Sequence, residues 1–208
     1  MKILDESFFN KDGITVARTL LGKIMVREEN GESYYFRIVE TEAYMGAEDK
    51  GAHVFGDKKT QRTAPLYEVG GTTYIYLIYG MYHCLNIAAN SKGIPHCVLI
   101  RAVEPLDEKA IQYAKANRNI KSKKIADLTN GPGKLCKALK IDKTLNNILV
   151  TKRNPLYIVE ETKEEWDIVE DKRINIPYAE EYQDKLWRFY IKDNPYVSIT
   201  KKSSGQMK

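Results

Sequence analysis

Apolar and polar positions along this chain fall mostly into short, strand-like runs broken by glycine and proline. Ile14, Val16, Leu20 and Leu21 keep a helical spacing that Gly22 ends, so a short helix is expected over 14–21. Lys23-Ile-Met-Val-Arg27 reads as a strand, and Glu29-Asn-Gly-Glu32 as a hairpin turn, because Asn-Gly suits type I′ geometry. The second arm starts near Tyr34 and runs through Arg37-Ile-Val-Glu-Thr-Glu-Ala-Tyr44. Strict alternation puts Ile38, Glu40, Glu42 and Tyr44 on one face, and Arg37, Val39, Thr41 and Ala43 on the other. From Met45 to Gly71 the pattern dissolves into a long loop holding His53 and the basic residues Lys58, Lys59 and Arg62.

Two strong strands follow, over Thr72–Tyr79 and Tyr82–Ala89, paired as a hairpin with Tyr79-Gly80-Met81 at its tip. Cys97–Val103 is a further strand, closed by Glu104-Pro105, and Leu106 to about Arg118 a helix with Ile111, Tyr113 and Ala114 inward. Asn119–Ala126 is a basic connection leading, through Gly131-Pro-Gly133, to a helix over Lys134–Leu139. Beyond it, strands are expected within 147–160, an acidic exposed stretch over 161–171, and a short strand over Arg173–Ile176. Trp187–Ile191 and Tyr196–Ile199 read as core segments, and the chain from Thr200 as a polar tail.

Composition narrows the classes. The 208 residues suit one domain spanning 1–208 with a real core. The net charge of +5 permits a polyanionic partner without demanding one. Cys84, Cys97 and Cys136 are scattered and form no CxxC pair, which points away from a zinc site or disulfide framework and toward a reducing cytoplasm. No apolar run reaches membrane-spanning length, and no signal-peptide core is visible. Tyrosine is abundant, with 14 residues against 5 phenylalanines, a surplus that fits base stacking as well as core filling.

The candidate chemistry centres on Glu40 and Glu42. Carboxylates at i and i+2 of a strand lie roughly 7 Å apart, and partial burial raises the pKa of at least one. That environment suits a general base; the alternative is two solvated glutamates on an exposed edge. Arg101, inside an apolar run, needs an anionic partner if buried, and Glu42 is the obvious one; the alternative is an edge arginine facing water. Asn86, mid-strand, must be hydrogen-bonded if buried, or ready for a ligand. Tyr79 and Met81 at a hairpin tip suit a wedge entering a partner, unless another segment covers them. Lys134 behind Gly-Pro-Gly, and Arg62 in the loop, are candidate phosphate contacts.

In order along the chain, these segments resemble the alkyladenine (3-methyladenine) DNA glycosylase family. The resemblance rests on Leu20-Leu-Gly-Lys23, Val39-Glu-Thr-Glu-Ala-Tyr44, Glu48-Asp49 with Ala52-His53, and Tyr74-Ile-Tyr-Leu-Ile-Tyr-Gly-Met-Tyr82. It continues through Cys84-Leu-Asn86, Val98-Leu-Ile-Arg-Ala-Val-Glu-Pro105, Gly131-Pro-Gly-Lys-Leu-Cys-Lys-Ala-Leu139 and Trp187-Arg-Phe-Tyr190. It implies a single mixed α/β (α+β) domain with a curved, mainly antiparallel sheet and a protruding, DNA-inserting hairpin. It also implies base excision repair, in which a damaged purine is flipped from duplex DNA and its N-glycosidic bond hydrolysed. By position, Glu42 matches the base that activates water, and Arg101 a residue beside that water. Tyr44, His53 and Tyr76 match the base pocket, Asn86 a residue that crowds the 2-amino group of guanine, and Tyr79 the intercalating residue. No metal or other cofactor is implied, nor a Schiff-base lysine, so a monofunctional, monomeric enzyme acting on double-stranded DNA is expected. Its location would be cytoplasmic, at the nucleoid in a bacterium. The chain departs from the family between Gly56 and Tyr74, where Gln61-Arg-Thr63 and Leu66-Tyr67 replace the usual Arg-Asn and Met-Phe pairs. That departure leaves lesion range open among 3-methyladenine, 7-methylguanine, hypoxanthine and ethenoadenine. The competing classes are a metal-dependent nuclease using Glu40, Glu42, Asp49 and His53, and a binder that recognises distorted DNA without cutting it.

Overall fold

The computed structural model describes residues 1–161 and 165–198. The tail expected from Thr200, and Ile199 before it, lie outside the described residues. The chain begins with two short helices, α1 (Glu6–Phe9) and α2 (Gly13–Thr19). Asp12 caps α2 by accepting from the amides of Ile14 and Thr15, both at 3.0 Å, which satisfies donors that the first turn leaves open. Strands β1 (Ile24–Glu29) and β2 (Glu32–Tyr44) form the expected hairpin. Asn30 and Gly31 take φ of 53° and 79°, as a type I′ turn requires. A second hairpin joins β3 (Thr73–Ile78) to β4 (Tyr82–Ala89), and β5 (His96–Pro105) pairs with β4. Helices α3 (Glu108–Asn117) and α4 (Pro132–Ala138) follow, then strands β6 (Leu156–Val159), β7 (Ile168–Asp171) and β8 (Arg188–Ile191).

These strands form one antiparallel sheet in a mixed α/β architecture. Its order is β3-β4-β5-β2-β1-β6, and β8 attaches β7 to the far half of β2. Strand β2 is therefore central. It keeps β5 on one side from Phe36 to Tyr44, and on the other it changes partner from β1 to β8 near Glu40. The register with β5 slips twice, because Ile38 faces Val103, Glu40 faces Ala102 and Thr41 faces Ile100. Val39 is the extra residue on β2, and Arg101 the extra residue on β5. Such paired irregularities re-aim side chains. They correct the simple alternation read from the sequence: Ile38 packs in the main core with Phe36 and Val39 and shares no face with Glu40 and Glu42. Thr41 turns toward α2, where its Oγ1 donates to the Ala17 carbonyl at 2.8 Å.

Three other expectations change. Within 147–160 only Leu156–Val159 is a strand, apart from a single bridge between Leu149 and Thr72. The acidic stretch 161–171 is not wholly exposed loop, because Ile168–Asp171 pairs with β8. Arg173–Ile176 is no strand: Asn175 takes φ of 61°, and the Ile174 amide donates to a side chain instead of a neighbouring strand. The 45–71 segment remains irregular but is not loose. Val54, Leu66 and Tyr67 are buried in a small cluster with Tyr74 and Cys97, which fixes the backbone that carries His53.

Candidate active site

Glu40 and Glu42 are both fully buried, so the reading as solvated edge glutamates falls. Burial of two carboxylates requires compensation. Arg101 lies between them, with Nε 3.1 Å from Glu40 Oε1 and Nη1 3.1 Å from Glu42 Oε1. Glu42 is thus one partner of Arg101, as expected, and Glu40 the other. Arg188, from β8, adds a second cation on Glu40 Oε1 at 2.9 Å.

The two carboxylates differ in what remains open. Glu40 Oε1 also accepts from Ser198 Oγ at 2.9 Å, and Oε2 from the Ser198 amide at 2.8 Å. Its role is to hold the two arginines and the C-terminal segment together. Glu42 Oε1 accepts from the Ile174 amide at 2.7 Å and faces Arg101, while Oε2 accepts from the Tyr44 hydroxyl at 2.9 Å. A carboxylate offers about four acceptor positions. Among the described residues Glu42 accepts two hydrogen bonds and faces Arg101, and its Oε2, which accepts from Tyr44 alone, has room for another donor.

Beside Glu42 lies an aromatic cleft lined by Tyr44, His53, Tyr74, Tyr76, Asn86 and Tyr178. The structure therefore brings the predicted pocket residues together. His53 Nδ1 lies 2.9 Å from the Tyr74 hydroxyl, and its ring meets Tyr76 edge-on at 4.5 Å. His53 keeps one side open to solvent, yet desolvation, reinforced by nearby Arg62, pulls its pKa below the usual 6.5. The imidazole is neutral at pH 7. Burial pushes the Tyr74 phenol up to about 12, and burial followed by the Glu42 charge drives Tyr44 well above its ordinary value. Both hydroxyls stay protonated and able to donate. Asn86 is buried opposite Tyr74, and its Nδ2 donates to the Tyr74 carbonyl at 3.2 Å, which fixes the amide plane at the cleft wall.

A groove leads from this cleft along the β3–β4 hairpin, and Arg62, Tyr79, Arg101, Pro132, Gly133 and Tyr178 are among its lining residues. Tyr79 is 78 % exposed and Met81 67 %, so no described segment covers the tip. Tyr79 and Gly80 take φ of 52° and 68°. A tyrosine held in the left-handed region is strained, and such strain collects at functional sites. Arg62 stands over the Tyr76 ring at 5.3 Å. Lys134 is half-exposed and donates to Asn130 Oδ1 at 2.6 Å.

Sequence reasoning missed the C-terminal contribution. Arg173 and Ile174 reach the site from a stretch read as a short strand, Arg188 from one read as a core segment, and Tyr178 from between them. Arg173 forms a two-pronged ion pair with Asp49, at 2.6 and 2.8 Å, with both side chains fully buried. The available signal was an arginine ahead of Ile174 and Ile176, in a chain whose Asp49 had no basic partner named for it. The nuclease reading loses its ligands, since Glu40 and Asp49 are committed to arginines. The described residues hold no group of three His, Cys, Asp or Glu able to bind a metal.

A family model described as methylpurine-DNA glycosylase matches residues 7–195. A protein of Natranaerobius thermophilus is 49% identical over 94% of this chain and 98% of its own length. One from Clostridioides difficile is 50% identical over 90% and 100%, and one from Clostridium tetani 51% over 95% and 99%. All three bear the provisional name 3-methyladenine DNA glycosylase.

Proposed function

The chain belongs to the methylpurine-DNA glycosylase family, DNA-repair glycosylases of alkylated purines, and on that premise we propose that Glu42 activates the water that cleaves the N-glycosidic bond. The observation that carries this reading is the difference between the two buried carboxylates. Among the described residues Glu40 takes two arginines and both donors of Ser198, whereas Glu42 takes one arginine, the Ile174 amide and the hydroxyl of Tyr44, whose ring lines the aromatic cleft. Water held beside Glu42 would give its proton to Oε2 as its oxygen attacks the sugar C1′. The C1′–N bond breaks with its electron pair leaving on the base. Positive charge that develops on the sugar meets the Glu42 carboxylate in a desolvated site, where electrostatic stabilisation is strong. Arg101 holds that carboxylate in place from the opposite side.

Tyr44, His53 and Tyr76 receive the flipped base. Stacking contributes about 1–3 kcal/mol per base, comparable to the few kcal/mol needed for unstacking. Lesions that pair weakly are therefore selected, and we extend the substrate range to deaminated purines such as hypoxanthine. Alkylation that leaves the base cationic strengthens its attraction to the ring faces. Asn86 crowds the guanine 2-amino group, and Tyr79 fills the vacated stack through the minor groove. No lysine takes part as a nucleophile, so the product is an abasic site on an unbroken strand. One domain flipping one base acts as a monomer.

A single-turnover assay tests this on end-labelled duplexes carrying hypoxanthine or 3-methyladenine, in EDTA, with and without alkali. Strand breakage that needs alkali and survives EDTA is the expected result. Breakage without alkali, or loss of product in EDTA, would overturn it.

A further inference from the structure

We propose that Arg173, clamped by Asp49, is a positioning residue that sets the Glu42 carboxylate and the Tyr44 ring for the reaction. The proposal rests on the glycosylase reading of Glu42. Arg173 joins its own C-terminal stretch, through Tyr182, to the segment 43–49, which lies more than 120 residues away in sequence. Its Nη1 donates to Asp49 Oδ2 at 2.6 Å and to the Ala43 carbonyl at 3.1 Å. Its Nη2 donates to Asp49 Oδ1 at 2.8 Å and to the Tyr182 carbonyl at 3.2 Å. The guanidinium is sandwiched between the rings of Tyr44, at 4.7 Å, and Trp187, at 5.0 Å.

Each contact leads to the site. The Ala43 and Tyr44 contacts fix the end of β2, where Tyr44 donates to Glu42. Asp49 also accepts from the amides of Met45 and Gly51, at 3.0 and 2.8 Å, and so shapes the turn that leads to His53. The residue after Arg173 is Ile174, whose amide donates to Glu42 Oε1 at 2.7 Å. A shift of the arginine therefore moves two of the three groups that hold Glu42. Gly51 fits this arrangement, since a Cβ there would come within 3.0 Å of the Arg173 Nη2. Arg173 Nε, by contrast, is buried without a hydrogen-bond partner. Buried donors are normally satisfied; here the planar group is oriented by its fork and two rings instead, which lysine cannot reproduce.

The test compares wild type with Arg173→Lys and with the uncharged pair Asp49→Asn/Arg173→Met, which leaves no unpaired buried charge. Single-turnover excision at saturating duplex is measured alongside duplex affinity and melting temperature. The charged and titratable groups around Glu42 are Arg101 from β5, Tyr44 from β2, Cys84 from β4, and Arg173 and Tyr178 from the C-terminal segment, with Glu40 behind Arg101. The expected result is a fall in the chemical rate of about 10- to 100-fold, the loss of one hydrogen bond to a charged group. Duplex affinity should stay within about threefold, since phosphate contacts dominate it. A purely structural pair would lower the melting temperature while leaving the single-turnover rate per folded molecule at saturating duplex unchanged, and that outcome, or failure of both variants to fold, overturns the proposal. Failure of wild type to excise any lesion would sink the glycosylase reading instead.

Discussion

Replacing Glu42 by glutamine separates the chemistry of the site from its architecture. The substitution keeps shape and removes charge. Its amide oxygen replaces Oε1 under the Ile174 amide and Arg101, which only donate. Its amide nitrogen replaces Oε2 beside the Tyr44 hydroxyl, which accepts by rotating its proton. Charge balance survives as well. Glu40, Glu42 and Asp171 face Arg101 and Arg188, so the variant keeps two carboxylates against two arginines. Stability should therefore change by no more than about 1 kcal/mol, the net scale of one hydrogen bond. The rate should fall by about 10²–10⁴-fold, the usual contribution of a general base, or roughly 3–5 kcal/mol of barrier. Single-turnover excision of hypoxanthine from a labelled duplex, with lesion-duplex affinity measured in parallel, reads both quantities. Excision by Glu42→Gln within about threefold of wild type would refute the assignment, because no effect that small fits loss of the base.

Four further outcomes are expected. Tyr79→Gly should raise stability by about 1 kcal/mol, since glycine accepts φ of 52° without strain, yet slow excision and reduce the fluorescence change of a 2-aminopurine flipping reporter. Asn86→Ala should increase excision of 7-methylguanine relative to hypoxanthine, measured as a ratio of single-turnover rates, and an unchanged ratio would remove Asn86 from base selection. Because the folded-state pKa of His53 is depressed, its neutral form contributes stability fully above about 6.5 that is lost as pH falls through the lowered value. His53→Gln should flatten the fall in melting temperature below that pH, although His96, shifted the same way, keeps its own share. Lys134→Ala should reduce the slope of log affinity against log salt by about 0.9, as for one lost phosphate contact, and an unaltered slope would leave Lys134 to its bond with Asn130.

Local chemistry was legible in the sequence. The Asn30-Gly31 turn, the β3–β4 hairpin and the exposure of Tyr79 followed from short-range preferences that hold in any fold. The ordered motifs also named Tyr44, His53, Tyr76 and Asn86, which line one cleft, and Glu42 and Arg101, an ion pair joined to that cleft through the Tyr44 hydroxyl. Which carboxylate stays open could not be read there. Glu40 and Glu42 are the same residue type two positions apart, and only Arg188, Ser198 and Ile174, more than 130 residues away in sequence, make them different. The slip at Val39 and Arg101 was hidden for a related reason: alternation assumes regular pairing, and pairing belongs to two strands at once. Arg173–Ile176 has the apolar spacing of a strand, but an arginine drawn into Asp49 and an amide drawn to Glu42 outweigh that weak local preference. Sequence determined which groups the protein has for its chemistry. Tertiary structure decided which of them are spent on holding the site and which remain free to act, because burial makes every charge depend on partners that only folding brings near.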